Sequence, residues 1–124
     1  MRKKALEYRT TSLAAVGVIA SLSVAPVLAN DEVVNAAAAP VKEKYGVDVK
    51  KLFASSCALC HNNYGLTGGG RGGGPKLAGT TKNKEGVIDR IANGKAGMMP
   101  AYKSTLKEEQ IQALADYIKA LPAN

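Results

Sequence analysis

The most constraining feature of this chain is one short run, Cys57-Ala58-Leu59-Cys60-His61. It contains both cysteines and the only histidine of the 124 residues. Two cysteines make at most one bridge, so a disulfide-dense scaffold is excluded. A structural zinc site with four cysteines, or with two cysteines and two histidines, fails on ligand count. A Ser-His-Asp or Cys-His hydrolase would have to use this same histidine.

The N-terminus reads as an export signal covering residues 1–29. Arg2, Lys3, Lys4 and Arg9 form a basic start, Ser12 to Ala25 is apolar and small, and Val27-Leu28-Ala29 offers a small-residue cleavage site. The apolar run is short for a bilayer span, which needs about 20 residues, and Pro26 interrupts it. No twin-arginine pair is present, so Sec-type export is the simpler expectation, and it leads to the periplasm. Cleavage after Ala29 removes four basic residues and one acidic residue, which leaves 13 basic and 9 acidic, a net +4. There is no basic block and no aromatic interleaving, so nucleic-acid binding has no support.

Residues 30–44 contain Asp31, Glu32, the Ala36–Ala39 run, Pro40 and alternating Lys and Glu. They read as a flexible N-terminal segment. The folded domain is then 45–124. A domain this small seldom reaches adequate stability from side-chain burial alone, so a cofactor, metal or bridge should staple it. Three helices are predicted, and strand signals are absent. The first spans about Asp48–Ala58, with Val49, Leu52 and Phe53 on one side and Asp48 as N-cap. The second spans about Lys84–Asn93, with Val87, Ile88 and Ile91 as its stripe and Gly94 as its stop. The third spans about Leu106–Leu121, where Ile111, Leu114, Ala115 and Ile118 follow the i, i+3, i+4, i+7 pattern. Thr105 and Glu108 are placed to form a capping box.

Between the first two helices, Gly65–Gly79 holds eight glycines. A P-loop needs a preceding strand and a Lys-Ser/Thr pair, and neither is present. A flexible loop wrapped around something large fits better. The Cys-Ala-Leu-Cys-His run supplies that object, because C-x-x-C-H is the attachment signature of c-type haem. Thiols three residues apart can bond the two vinyl groups on one porphyrin edge, and the adjacent imidazole then falls below the ring centre. A thioredoxin-like pair would want a strand before the motif. A lone disulfide would leave His61 unexplained.

On these residues the segment from Tyr45 to Leu121 resembles the small single-haem class I cytochromes c of bacteria. Phe53 stands where that family places the aromatic of its first helix, and Leu114 and Tyr117 where the last helix meets it. Gly74-Pro75-Lys76-Leu77 is similar to the family's proline-leucine segment. The resemblance implies an all-α small cytochrome c fold, three main helices and loops around one covalent haem c. It implies that the Pro75 carbonyl accepts from His61 Nδ1, leaving Nε2 for iron. Met98-Met99-Pro100 resembles the family's methionine–proline motif, in which the methionine directly before proline is the sixth ligand. That selects Met99, with Met98 as runner-up. Two departures stand out: Val49 occupies a position where the family often has a small residue, and the Gly65–Gly74 loop is unusually glycine-rich.

A filled His61/Met99 pair favours electron transfer over oxygen chemistry and raises the potential. Phe53, Leu59, Leu66, Leu77, Ile88, Ile91, Leu106, Leu114 and Ile118 are the expected apolar wall, and Tyr64, Tyr102 and Arg71 the candidate propionate contacts. Lys76, Lys82, Lys95 and Lys103 could form a docking collar for an acidic redox partner. The resemblance implies a periplasmic carrier, not an enzyme. It would take electrons from a cytochrome bc complex or a quinoprotein dehydrogenase and pass them to a terminal oxidase. The rival expectation is a haem enzyme or gas sensor with an open sixth position, resembling a peroxidase.

Overall fold

The computed structural model describes residues 27–123, with side-chain burial from residue 30 onward. The predicted signal segment lies outside the described residues except for the backbone of 27–29. The elements run α1 (Val27–Tyr45), α2 (Val49–Ser56), a 3-10 turn (Asn63–Gly65), α3 (Lys84–Asn93) and α4 (Glu108–Ala120). Among the described residues there is no strand, only an isolated bridge between Lys95 and Met99.

α2 starts where the sequence places it. Asp48 Oδ1 accepts from Lys51 N at 3.1 Å, which satisfies one of the free amides of the first turn. Val49 and Phe53, one turn apart, are 1% and 0% exposed. Val49 is therefore accommodated in the core, although the family often has a smaller residue there. α3 is capped by Asn83, whose side chain accepts from Gly86 N at 2.9 Å, and Val87 and Ile91 are its buried stripe. α4 begins two residues later than expected. The predicted Thr105–Glu108 box does not form, because Thr105 Oγ1 donates to the Tyr102 carbonyl instead. Lys107 takes the cap position, and its N–H donates to Gln110 Oε1 at 2.9 Å.

α4 is the hub, packing against α1, α2 and α3. Leu114 and Ile118 stand on one side of it, and Ala113 and Tyr117 are offset by one residue on another; all four are buried. A helix buried on more than one stripe needs more than one cover.

The second cover is α1, and here the structure corrects the sequence reading. Residues 30–44, expected as a flexible segment, are helical throughout. Val34, Ala37, Ala38 and Val41 are 1%, 4%, 9% and 4% exposed. Their spacing is i, i+3, i+4, i+7, one face of a helix. Small side chains let α1 lie close to α4 and α2, which it contacts. Pro40 lies inside the helix, on its exposed side. The carbonyl of Ala36, which loses its helical donor there, belongs to an exposed residue that water can reach.

A polar cluster fastens the end of α1. Asp116 on α4 accepts from Lys44 at 3.0 Å and from Tyr45 Oη at 2.7 Å, and pairs with Lys84 at the start of α3. Burial pushes the Asp116 carboxyl up, but hydrogen bonds from Lys84, Tyr45 and Lys44 outweigh it and hold the group down at about 2. The unfolded value is 3.8. The stabilisation is therefore full above pH ~4 and is lost as pH falls towards 2. Asp116→Asn should cost about 1 kcal/mol at pH 7, a modest figure because the lysines remain partly solvated. Urea unfolding at pH 7 and pH 2 checks this: the gap between variant and wild type should shrink at the lower pH.

Candidate functional site

The site is built on the turn that ends α2. Cys57 N and Ala58 N both donate to the Phe53 carbonyl, at 2.8 and 3.0 Å. Cys60 N and His61 N then both donate to the Cys57 carbonyl, at 3.1 and 2.9 Å. This turn holds the two half-buried free thiols and the imidazole together. His61 is 8% exposed and is the one buried polar residue among the described residues. Its Nδ1 lies 2.8 Å from the Pro75 carbonyl. A carbonyl can only accept, so Nδ1 carries the proton and the Nε2 lone pair is left for a metal.

Burial pushes the Cys57 thiol up to about 11, and the nearby Cys60 adds to the shift. At neutral pH Cys57 is a protonated thiol.

These residues line a cavity of about 660 Å³. Cys57, Cys60, His61, Pro75, Met98 and Met99 all contribute to its wall, so the sequence-predicted site residues come together. Val87, Leu77, Ile91, Leu106, Leu114 and Ile118 supply an apolar surface. Of the expected wall, four residues stand elsewhere. Phe53 is fully buried in the core behind the cavity, Leu59 is 66% exposed, Leu66 borders a smaller cleft, and Ile88 yields its place to Val87. The Ile88 error is one of helical phase: adjacent residues on a helix point about 100° apart.

The two methionines differ in setting. Met99 packs partly buried against the core, whereas Met98 is 70% exposed. Lys95 and Met99 exchange both backbone hydrogen bonds, each 2.8 Å. The loop is also tied to the end of α3, because Tyr102 N donates to Ile91 O and Lys103 N to Ala92 O, both at 3.1 Å.

The glycine-rich loop is a fitted part, not a loose wrap. Gly74 N donates to the Cys60 carbonyl at 3.0 Å. A Cβ on Gly74 would lie 2.6 Å from that carbonyl and 2.8 Å from His61 Cε1. The absent side chain is what lets this backbone lie against the cysteine–histidine turn and deliver Pro75 to His61.

A family model described as cytochrome c oxidase, cbb3-type, subunit III matches residues 47–118. The chain belongs to the class I c-type cytochrome family. Cytochrome c6 of Leptolyngbya boryana is 39% identical over 75 residues, covering 55% of this chain and 82% of that protein. Cytochrome c6 of Nostoc sp. (strain PCC 7120 / SAG 25.82 / UTEX 2576) is 32% identical over 85 residues, covering 58% of this chain and 67% of the relative. The cbb3-type cytochrome c oxidase subunit FixP of Bradyrhizobium sp. (strain ORS 278) is 33% identical over 75 residues, which cover 57% of this chain but only 26% of FixP. The solved KustC0563 c-type cytochrome superposes with a TM-score of 0.52 at 26% identity, covering 62% of this chain and 100% of that one. The cytochrome has the all-α small cytochrome c fold and is an electron-transfer protein, not an enzyme, with covalent haem c. Helix α1 ends at Tyr45, before the matched region begins.

The cavity fits that group. It offers two thiols on one turn, an imidazole whose second nitrogen is already committed, a half-buried thioether and apolar walls. Of the expected propionate contacts, Tyr64 and Arg71 do not line this cytochrome's cavity. Tyr102 does, but its hydroxyl already donates to the Ser56 carbonyl at 2.7 Å. Burial raises the Tyr102 phenol above its ordinary value. The sequence reading missed Arg90, a half-buried cation in the last turn of α3 that lines the cavity. The signal was available, since Arg90 is three residues after Val87 and adjacent to Ile91, at the edge of the apolar stripe. Lys76, Lys82 and Lys95 also line the cavity, whereas Lys103 does not and bonds Asn93 at 3.1 Å.

Proposed function

We propose that this cytochrome is an exported, periplasmic single-electron carrier whose haem is held by Cys57 and Cys60 and ligated axially by His61 and Met99. The observation that carries the reading is the His61 Nδ1–Pro75 contact at 2.8 Å, inside a cavity that Met99 shares. When bound, the haem supplies a one-electron ferric–ferrous couple.

The chain's residues do the rest. Pro75 fixes the His61 tautomer and ring orientation and strengthens its donor nitrogen. Met99 offers a neutral thioether, which favours the ferrous state and a higher potential. Ile91, Leu114 and Ile118 exclude water, which acts in the same direction. With His61 and Met99 both holding the iron, no position would be left open for oxygen or peroxide. Arg90 presents a guanidinium suited to pairing with a propionate carboxylate. Lys82 and Lys95 at the cavity edge give the redox face a positive potential, which would steer an acidic partner to it. The donor would be a cytochrome bc complex or a quinoprotein dehydrogenase, and the acceptor a terminal oxidase. Export rests on the basic start and short apolar run of residues 1–29.

The test is an absorption spectrum of the purified holoprotein, oxidised and reduced, with and without carbon monoxide. The expected result is a weak far-red sulfur-to-iron band in the oxidised form and no carbon monoxide shift on reduction. Ready carbon monoxide binding without that band would replace the carrier with a haem enzyme or gas sensor.

A further inference from the structure

We propose that Tyr102 is a positioning residue that locks the methionine loop onto the haem-binding turn and so controls how readily the sixth iron position opens. This rests on the reading of Met99 as the axial ligand. Tyr102 follows Met99 by three residues, just beyond Pro100. Its hydroxyl donates to the carbonyl of Ser56 at 2.7 Å, across a sequence separation of 46 residues. Ser56 is the last residue of α2 and immediately precedes Cys57. Both Ser56 and Tyr102 line the cavity.

The bond therefore joins the segment that carries Met99 to the segment that leads into Cys57 and His61. The loop's other anchors run to Ile91 and Ala92 at the end of α3, not to α2. Among the described residues no other hydrogen bond joins residues 95–103 to residues 56–61. The bond also answers a need of α2, whose final carbonyls have no helical donor. Removing the hydroxyl would leave a half-buried acceptor unmet and release the loop on one side. The predicted role of this phenol as a propionate contact gives way to a role within the chain.

The experiment compares wild type, Tyr102→Phe and Tyr117→Phe as holoproteins, reading the far-red band and the rate at which imidazole binds the ferric form. Tyr102→Phe should bind imidazole about tenfold faster, equivalent to ~1.4 kcal/mol, within the range for one hydrogen bond left unmade. Tyr117→Phe loses a comparable bond, from Tyr117 Oη to the Tyr64 carbonyl at 2.9 Å, but not one at the cavity. It should lower the unfolding midpoint and leave the imidazole rate at the wild-type value. Equal rates for Tyr102→Phe and wild type would overturn the proposal. So would an equal acceleration in Tyr117→Phe, which would signal general loosening. A wild type without the far-red band would remove the His/Met reading itself, and this proposal with it.

Discussion

Replacing Phe53 with alanine should cost about 3–5 kcal/mol of folding stability, the usual penalty for emptying a large aromatic site in a core. Phe53 is 0% exposed and sits at the centre of an aromatic group. Tyr117 meets it edge-on with ring centroids 5.6 Å apart, and Tyr64 lies tilted at 6.3 Å. Such pairs add to simple area burial. Neighbouring backbone depends on the same contacts, because Asn63 and Tyr64 hold φ of 48° and 54°, values non-glycine residues rarely adopt. The Tyr117 hydroxyl and the packing of the Tyr64 ring keep that turn in place. A small domain is stable by only about 5–15 kcal/mol, so the loss is a large fraction of the total. Urea unfolding followed by far-ultraviolet circular dichroism would measure it, with Phe53→Leu as a milder control. A Phe53→Ala midpoint close to wild type would show that the cavity collapses without cost.

Sequence legibility varied along the chain for physical reasons. Local chemistry placed α3, because an apolar stripe and a stop glycine both act within one helix. The Cys57–His61 turn was legible because the motif states its own geometry. α1 was not. Its buried face is Val34, Ala37, Ala38 and Val41, and alanine carries little hydrophobic signal. Pro40 also marks a break that the helix absorbs on its solvent side. What holds α1 is tertiary: packing against α4 and the Asp116 cluster, whose members Lys44, Tyr45 and Lys84 lie far from Asp116 in sequence. The glycine-rich loop failed for the same reason. Gly70, Gly72 and Gly74 answer to Cys60, and Gly74 also to the His61 ring, and neither demand can be seen in the loop's own composition. The partner of Tyr102 was hidden because a tyrosine's type does not reveal which acceptor its hydroxyl will find. The Ser56 carbonyl, at a helix end in need of a donor, took Tyr102.

The glycine that stops α3 has a second task, and that makes it the most sensitive position of the methionine loop. Gly94 holds φ 68° and ψ −157°, a region open in practice only to glycine. It also approaches the ligand loop closely: a Cβ there would lie 2.3 Å from the Met99 carbonyl and 2.7 Å from the Pro100 carbonyl. The obstruction is backbone, which cannot rotate aside as a side-chain tip can. Gly94→Ala should therefore cost about 3 kcal/mol or more, combining dihedral strain with displacement of the loop. Gly97 separates the two contributions, since its φ is also positive, at 72°, but a Cβ there would meet nothing within 4 Å. Gly97→Ala should lose only about 1–2 kcal/mol, the strain alone. Thermal unfolding of the holoproteins would give the difference in stability. The far-red band would report the ligand loop separately, weakened or absent in Gly94→Ala and retained in Gly97→Ala. Equal losses in the two variants would mean that backbone strain dominates and that contact between Gly94 and the Met99-Pro100 backbone does not position the ligand.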